Sequence, residues 1–186
     1  MFAVKKAKEK GLTVSCDLNF RKKPWEWEAC TSPEGLAGRV MSEVLPYVDV
    51  VIGNEEDAQD VFGIKAEGSR VEAGELAIDK YPEVAAKLAQ RFPHVKKVAC
   101  TLCESISASH NNWGAMLYDV KTNSAKFAPI DDGVYKPYEI RNIVDRIGGG
   151  DSFAAGLIYA LNDFNSVTKE EILELMKGDE AGRVKR

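Results

Sequence analysis

The residues best suited to chemistry form a short loop, Gly148-Gly149-Gly150-Asp151, directly before a predicted helix. Consecutive glycines allow several backbone N–H groups to point into one concavity, and the helix dipole adds partial positive charge there. Such a loop can bind a phosphate, or the charge that develops while a phosphate is transferred. An aspartate beside it would be the base that takes a proton from an attacking hydroxyl group. The pattern therefore indicates phosphate chemistry.

The loop alone leaves a second interpretation open, in which Asp151 is an ordinary N-cap of the helix. The loop is not a Walker motif, because no Gly-Lys-Ser/Thr follows it. It is not a dinucleotide-binding fingerprint either, because it lies late in the chain rather than after a first strand. Spacing by itself favours neither the catalytic role nor the capping role.

The longer segment Asp145–Gly156 resembles the C-terminal signature of the ribokinase-like (PfkB) sugar kinases. Further segments occur in the order of that family and look most similar to 2-keto-3-deoxygluconate kinases: Cys16–Trp25, Asn54–Asp57, Thr101–Ser109, Leu175–Asp179 and Gly182–Val184. The resemblance spans essentially the whole chain. It implies a ribokinase-like α/β fold and ATP-dependent phosphorylation of the terminal hydroxyl group of a sugar acid.

The resemblance also implies roles for the matching positions of the loop. Asp151 would be the base that activates the terminal hydroxyl group, while Gly148, Gly149 and Gly150 would form the anion hole for the γ-phosphoryl group. Catalysis would then consist mainly of positioning and electrostatic stabilisation, as in phosphoryl transfer generally.

Three residues near the N-terminus, Asp17, Asn19 and Arg21, look like the family's substrate contacts. A planar guanidinium such as that of Arg21 suits a carboxylate or a phosphate. Without the resemblance, Arg21 would be interpreted as a surface arginine beside two lysines.

The remaining implied contacts concern ATP and Mg²⁺. Asn54 and Asp57 look like the Asn-x-x-Glu element that acts on magnesium and the phosphates, with a shorter Asp57 that would reach through water. Thr101, Glu104 and Ser105 lie in a segment that looks like a strand-end turn touching the nucleotide. Cys103 stands within it where an arginine or glycine is more usual.

Two features depart from the family pattern. Family members carry an N-terminal half with most sugar contacts and a lid, whereas this sequence opens at the end of a predicted helix before Leu12. They also have a further helical segment where Leu161 is followed directly by Asn162-Asp-Phe-Asn165. We therefore expect an incomplete kinase with little activity alone, and self-association through exposed apolar surface and sheet edges. A truncated reading frame, a domain fragment and the ordered part of a longer chain all remain open.

Two alternative functions also remain open. The first is a sugar kinase of the same family that acts on fructose, ribose or a related sugar. The second is a non-catalytic remnant that binds nucleotide or a partner protein without turnover, for which ATP binding without phosphate transfer would be the sign.

The elements that must position these residues follow from apolar, β-branched runs that alternate with helical patterns. Buried strands are predicted over 12–16, 48–52 and 95–102, with helices over 2–10, 33–45 and 82–91. This alternation predicts βαβ units and a parallel sheet.

The second half of the chain predicts an antiparallel portion of the sheet. A hairpin turn is predicted at His110-Asn111-Asn112, because asparagine tolerates positive φ. Short strands follow over 124–129 and 138–143, then a helix over 152–161 and another from Thr168. Residues 1–186 would form a single partial domain with a mobile tail over 178–186.

Composition excludes several classes of protein. The 186 residues are 45% hydrophobic and 29% charged, with a net charge of −4, which does not fit a disordered, collagen-like or disulfide-scaffold chain. There is no basic excess for nucleic acid or an anionic membrane, no membrane-length apolar run and no signal-peptide pattern, so a soluble cytoplasmic protein is expected. Cys100 and Cys103 are interpreted as incidental reduced thiols rather than a metal or redox pair.

Overall fold

The computed structural model describes residues 1–65 and 78–162 of the chain. They belong to two compact units, Met1–Asn142 and Ile143–Arg186, each of which is described by itself. The first unit contains the sheet, and the described part of the second contains the helix α5 (Gly149–Asn162). The helix predicted from Thr168, the tail over 178–186 and the two C-terminal motif segments lie outside the described residues.

Three parallel strands form one half of the sheet, in the order β1-β2-β3. They are β1 (Ser15–Asp17), β2 (Val50–Gly53) and β3 (Lys97–Ser107). The α-helices that the structure describes in this unit are α1 (Phe2–Glu9), α2 (Pro33–Val44), α3 (Glu55–Phe62) and α4 (Tyr81–Arg91). The alternation of strands with helices confirms the predicted parallel portion.

Antiparallel strands complete the sheet on the far side of β3. The strand β4 (His110–Asp119) pairs with β3 along its length, and β5 (Ser124–Ala128) pairs with the second half of β4. After a two-stranded ribbon of β6 (Ile130–Asp131) and β7 (Val134–Tyr135), the strand β8 (Tyr138–Arg141) pairs with the first half of β4. The predicted mixed α/β class, mostly parallel with an antiparallel portion, is confirmed.

Local capping explains where the first helices begin and end. The Oγ atom of Ser32 accepts a hydrogen bond from the backbone N–H of Gly35 at 3.0 Å, and Pro33 occupies the first helical position, where its missing N–H costs nothing. Gly11 follows α1 with φ +72°, a left-handed conformation that glycine adopts without strain. The start of α2 and the end of α1 were both predicted from these residue types.

The hydrophobic core lies on one face of the sheet, beneath α2, α3 and α4. Because successive strand residues point to opposite faces, alternate residues of β3 enter this core: Val98, Cys100 and Leu102. The helices contribute buried side chains such as Ala37, Met41, Val61, Ala85 and Leu88. Truncating a fully buried leucine of this kind to alanine typically costs roughly 2–5 kcal/mol. This packing fixes the strands whose ends carry the candidate site.

The prediction of a buried first strand over 12–16 is wrong in both place and burial. The strand begins at Ser15, both Ser15 and Asp17 are exposed, and Leu12 is 55% exposed. Within the described ranges, β1 pairs only with β2, so it forms an edge of the sheet. Apolar, β-branched residues predict a strand but do not say whether another strand will cover it.

The prediction of a turn at His110-Asn111-Asn112 is also wrong. The chain turns at Ala108 and Ser109, and His110 already pairs with Ser107. Asn112 remains in β4, where its Nδ2 atom donates to Oε2 of Glu104 at 2.8 Å on the opposing strand. Cross-strand pairing therefore outweighs the preference of asparagine for turns.

The four cysteines are all thiols, and the pair with CxxC spacing cannot act together. Cys100 is buried in the core, whereas Cys103 is exposed on the opposite face of β3, because the two are three residues apart in a strand. Among the helices that the structure describes, none is long and apolar enough to span a membrane.

Candidate active site

The parallel pairing of β1, β2 and β3 ends at one edge of the sheet, and each strand has a predicted site residue at or just after that point. Asp17 pairs with Ile52 at the end of β1, and Gly53 pairs with Cys100 between β2 and β3. Asn54 directly follows β2, and Thr101 directly follows Cys100 within β3. In open α/β sheets, ligands bind in the crevice outside these carboxyl ends.

The loop after β1 brings two of the predicted substrate contacts together. Asn19 has φ +35°, and its Oδ1 atom accepts a hydrogen bond from Nε of Arg21 at 3.2 Å. The side chains of Asp17, Asn19 and Arg21 are exposed, so the remaining guanidinium N–H groups of Arg21 can bind an anion.

Asn54 and Asp57 cap the start of α3 reciprocally. The Oδ1 atom of Asn54 accepts from the backbone N–H of Asp57 at 2.7 Å, and Oδ2 of Asp57 accepts from the backbone N–H of Asn54 at 2.9 Å. Oδ1 of Asp57 also accepts from the backbone N–H of Phe20 at 2.8 Å. Burial raises the pKa of the Asp57 carboxyl group and Asp60 adds to this, against the two backbone hydrogen bonds.

These contacts do not fit direct coordination of Mg²⁺ by Asn54 and Asp57. Asp57 is only 7% exposed, and both of its carboxylate oxygens already accept backbone hydrogen bonds. Across residues 1–65 and 78–162, no cluster of three His, Cys, Asp or Glu side chains could hold a metal ion. Contact of Asn54 and Asp57 with Mg²⁺ through a water molecule therefore stays a prediction.

The predicted nucleotide segment is a strand rather than the expected turn. Thr101, Glu104 and Ser105 all lie in β3, which continues to Ser107 because it stays paired with β4 as far as Ser107 opposite His110. Thr101 and Ser105 share one face of the strand, and Glu104 points to the other. A ligand on one face of the sheet could therefore contact Thr101 and Ser105 together, but not all three side chains.

Glu104 instead belongs to a polar group on the opposite face. It accepts from Asn112, and it adds to burial in raising the pKa of Tyr135. Tyr135 lies directly over Gly114, where a Cβ atom would come within 2.2 Å of the tyrosine Oη. Oδ1 of Asn112 and Nε2 of His110 are buried without a hydrogen-bond partner in the described structure.

The glycine-rich loop lies in the second unit, where α5 begins at Gly149 rather than at the predicted Ser152. Gly148 has φ +81°, and its carbonyl oxygen accepts the first helical hydrogen bond from Ser152 at 2.8 Å. Gly148 therefore occupies the N-cap position, and the alternative interpretation of Asp151 as N-cap is wrong.

Asp151 is the third residue of α5, and its side chain is exposed. The backbone N–H of Gly150 is among the first of the helix, which have no acceptor within it, and the dipole makes this end partially positive. The helix start thus combines donors for an anion with an accessible carboxylate. The structure groups Gly148 to Asp151 in one unit, and groups the ends of β1, β2 and β3 in the other.

Comparison with known families gives a match over most of the chain. The pattern of the pfkB family carbohydrate kinases matches residues 1–174. The chain belongs to this family. A solved structure, the 2-dehydro-3-deoxygluconokinase of Thermotoga maritima, is 36% identical with a TM-score of 0.72, over 95% of this chain and 54% of that one.

Two further solved structures show how far the likeness extends. Fructokinase of Vibrio cholerae is 26% identical with a TM-score of 0.55, over 95% of this chain and 44% of that one. A PfkB family carbohydrate kinase of Listeria grayi, 24% identical with a TM-score of 0.65 over 91% of this chain and 43% of that one, shares the fold. The expected ribokinase-like fold is confirmed, and the chain spans about half the length of these solved relatives.

One contact among the candidate site residues was missed from the sequence, namely that Asp57 contacts the loop after β1. The spacing Asn54-x-x-Asp57 is that of a capping box, which could have predicted the reciprocal hydrogen bonds. The contact with Phe20 joins residues 37 positions apart and has no local sequence signal.

Proposed function

We propose that this chain forms the ATP-binding and catalytic part of a sugar kinase that phosphorylates the terminal hydroxyl group of 2-keto-3-deoxygluconate. The observation that carries the proposal is the exposed Asp151 carboxylate in the first turn of α5, beside the backbone donors of the glycine loop. The 36% identity with the Thermotoga maritima 2-dehydro-3-deoxygluconokinase supports this choice of sugar.

In the proposed reaction, the Asp151 carboxylate takes the proton of the sugar hydroxyl group. The hydroxyl oxygen forms a bond to the γ-phosphorus of ATP while the bond from that phosphorus to the bridging oxygen breaks, and ADP leaves. The backbone N–H groups at the start of α5, that of Gly150 among them, stabilise the negative charge on the transferring group. Arg21 binds the carboxylate of the sugar acid, with Asp17 and Asn19 beside it.

ATP is the proposed phosphoryl donor, contacted by Thr101 and Ser105 on one face of β3. Mg²⁺ is the proposed companion of ATP, where it would neutralise charge on the phosphates. No step of the proposed reaction depends on a protein ligand to the metal, since the oxygens of Asn54 and Asp57 are engaged with the backbone.

The proposal is tested by measuring ATP binding by calorimetry and product formation by mass spectrometry after long incubation. We expect ATP binding, slow phosphorylation of 2-keto-3-deoxygluconate, and less product from fructose or ribose at the same concentration. Preference for fructose would favour the second candidate, a fructokinase, which the 26% identity with the Vibrio cholerae enzyme supports. ATP binding with no product from any sugar would favour the non-catalytic remnant.

A further inference from the structure

The carboxylate of Asp57 connects two loops at the edge of the sheet. One oxygen accepts the backbone N–H of Phe20, after β1, and the other accepts the backbone N–H of Asn54, after β2, at 2.8 and 2.9 Å. Asp57 is 7% exposed, so water competes little for either hydrogen bond. The two loops are thereby held at a fixed separation by one side chain.

The loop after β1 needs this support. Leu18 is anchored by its backbone N–H to the carbonyl oxygen of Ile52 at 2.9 Å, and Phe20 by its N–H to Asp57. Between these anchors, Asn19 has φ +35°, a left-handed conformation that asparagine tolerates better than most residues but that is still less common than the extended one. If the second anchor were lost, Asn19 could return to an ordinary conformation and Arg21 would change direction.

We propose that Asp57 is a positioning residue that holds Asn19 and Arg21 in register with Asn54 for sugar-acid binding. The proposal rests on the proposed function, because Asn19 and Arg21 are there the sugar-acid contacts. It replaces direct metal binding as the reason for an acidic residue at this position. A carboxylate suits this role because each of its two oxygens accepts one N–H group, from Phe20 and from Asn54.

The surroundings of Asp57 fit this role. A Cβ atom on Gly53 would lie 3.2 Å from Oδ2 of Asp57 and 3.5 Å from Cδ1 of Leu18, so the glycine leaves room for the carboxylate between the loops. An asparagine at position 57 would offer one acceptor and one amide donor, and the donor would face a backbone N–H. That substitution removes one anchor with almost no change in size.

The experiment compares Asp57→Asn with Asp60→Asn, an exposed residue of the same helix whose loss removes the same charge. We expect Asp57→Asn to accelerate amide hydrogen exchange at Phe20 or Asn54 at least tenfold and to shift the NMR signals of Asn19 and Arg21. We expect a 5- to 20-fold loss of affinity for 2-keto-3-deoxygluconate, with the Mg²⁺ dependence of ATP binding unchanged. Asp60→Asn should change none of these.

A second variant, Asp57→Glu, keeps both acceptors and covers the case in which the asparagine variant fails to fold. It should retain more protection at Phe20 than Asp57→Asn does, or remain folded where that variant does not. Unchanged exchange at Phe20 and Asn54, or a shifted Mg²⁺ dependence, would overturn the proposal. If the unmodified chain does not bind the sugar acid, the proposed function fails, while exchange at Phe20 still decides whether Asp57 holds the loop.

Discussion

The ammonium group of Lys8 lies 2.7 Å from Oδ2 of Asp49, which is buried at the edge of the sheet opposite the candidate site. The same carboxylate accepts the backbone N–H of Val14 at 2.9 Å and pairs with Lys96 at 2.9 Å. Asp49 therefore ties together α1 and the segments that enter β1, β2 and β3. The site residues at the other ends of these strands depend on this arrangement.

The Asp49 cluster predicts a loss of stability in acid. Burial alone would raise the pKa of Asp49, but hydrogen bonds from Lys8, Val14 and Lys96 outweigh it and lower the pKa from 3.8 to about 2. Because the pKa of Asp49 is lower in the folded than in the unfolded state, the ionised carboxylate stabilises the fold. This contribution of about 2 kcal/mol is fully present above about pH 4 and is lost as the pH falls toward 2.

The measurement is the free energy of unfolding of the wild type and of Asp49→Asn between pH 7 and pH 2. We expect the variant to be less stable by about 2 kcal/mol at pH 7, with the difference shrinking below pH 4. Asp119→Asn is the matched control, because Asp119 pairs with Lys97 at a partly exposed site and such pairs contribute about 0–1 kcal/mol. A difference that persists at pH 2 would contradict the account.

A second prediction concerns the close contact between α2 and α3. A Cβ atom on Gly38 would lie 2.6 Å from the carbonyl oxygen of Val61, which is backbone and can move only with its helix. We expect Gly38→Ala to destabilise the protein by about 1–3 kcal/mol, although alanine favours helix by up to about 1 kcal/mol. Thermal unfolding measures this change, and an increase in melting temperature would contradict the contact.

Particular residues show how far the fold could be predicted. The sequence Ser32-Pro33-Glu34 predicts the start of α2, because capping depends on neighbours in the chain. The exposure of β1, the turn at Ala108 and Ser109, and the continuation of β3 to Ser107 depend on which strands pair, and local residue types carry no such information. The propensities of single residues therefore predict where helices and strands lie better than they predict which strands pair.

The candidate site was predictable to a similar extent. The family signature indicates Asp151 and the three glycines, and the structure places them at the start of one helix. The contact from Asp57 to Phe20 arises only when two loops meet at the sheet edge. Motif spacing therefore selects candidate site residues, while the hydrogen bonds that orient them need the three-dimensional structure.

A third prediction is that replacing a glycine by alanine has opposite effects on stability at Gly148, in the loop, and at Gly156, inside α5. Gly148 has φ +81°, so Gly148→Ala should strain the helix start by roughly 1–2 kcal/mol even though nothing lies within 4 Å of the new Cβ atom. Gly156 lies inside α5 with similarly open surroundings, and Gly156→Ala should stabilise the helix by about 0.5–1 kcal/mol. Opposite shifts in melting temperature are expected, and equal shifts would refute the argument.

A fourth prediction is self-association of the chain. Val144 and Ile147 are 100% and 91% exposed, Tyr159 on α5 is 51% exposed, and β1 presents an edge in the described part of the sheet. Sedimentation velocity over a wide concentration range should show oligomers, and Tyr159→Lys should reduce them. A single sharp monomer peak at all concentrations would count against this prediction.

The final prediction concerns Asp151, whose removal should separate turnover from nucleotide binding. Asp151→Asn keeps the size of the side chain but removes the proton acceptor, so turnover should fall roughly 10²–10⁴-fold. ATP affinity should stay the same or rise slightly, because a negative charge near the phosphates is lost. The melting temperature should change little, since Gly148 and not Asp151 is the N-cap of α5.

The matched control is Asp145→Asn, in which the amide oxygen can still accept the N–H of Ile147, as Oδ1 of Asp145 does at 2.9 Å. Unchanged turnover in Asp151→Asn, or an equal loss of turnover in both variants, would contradict the proposal that Asp151 is the base.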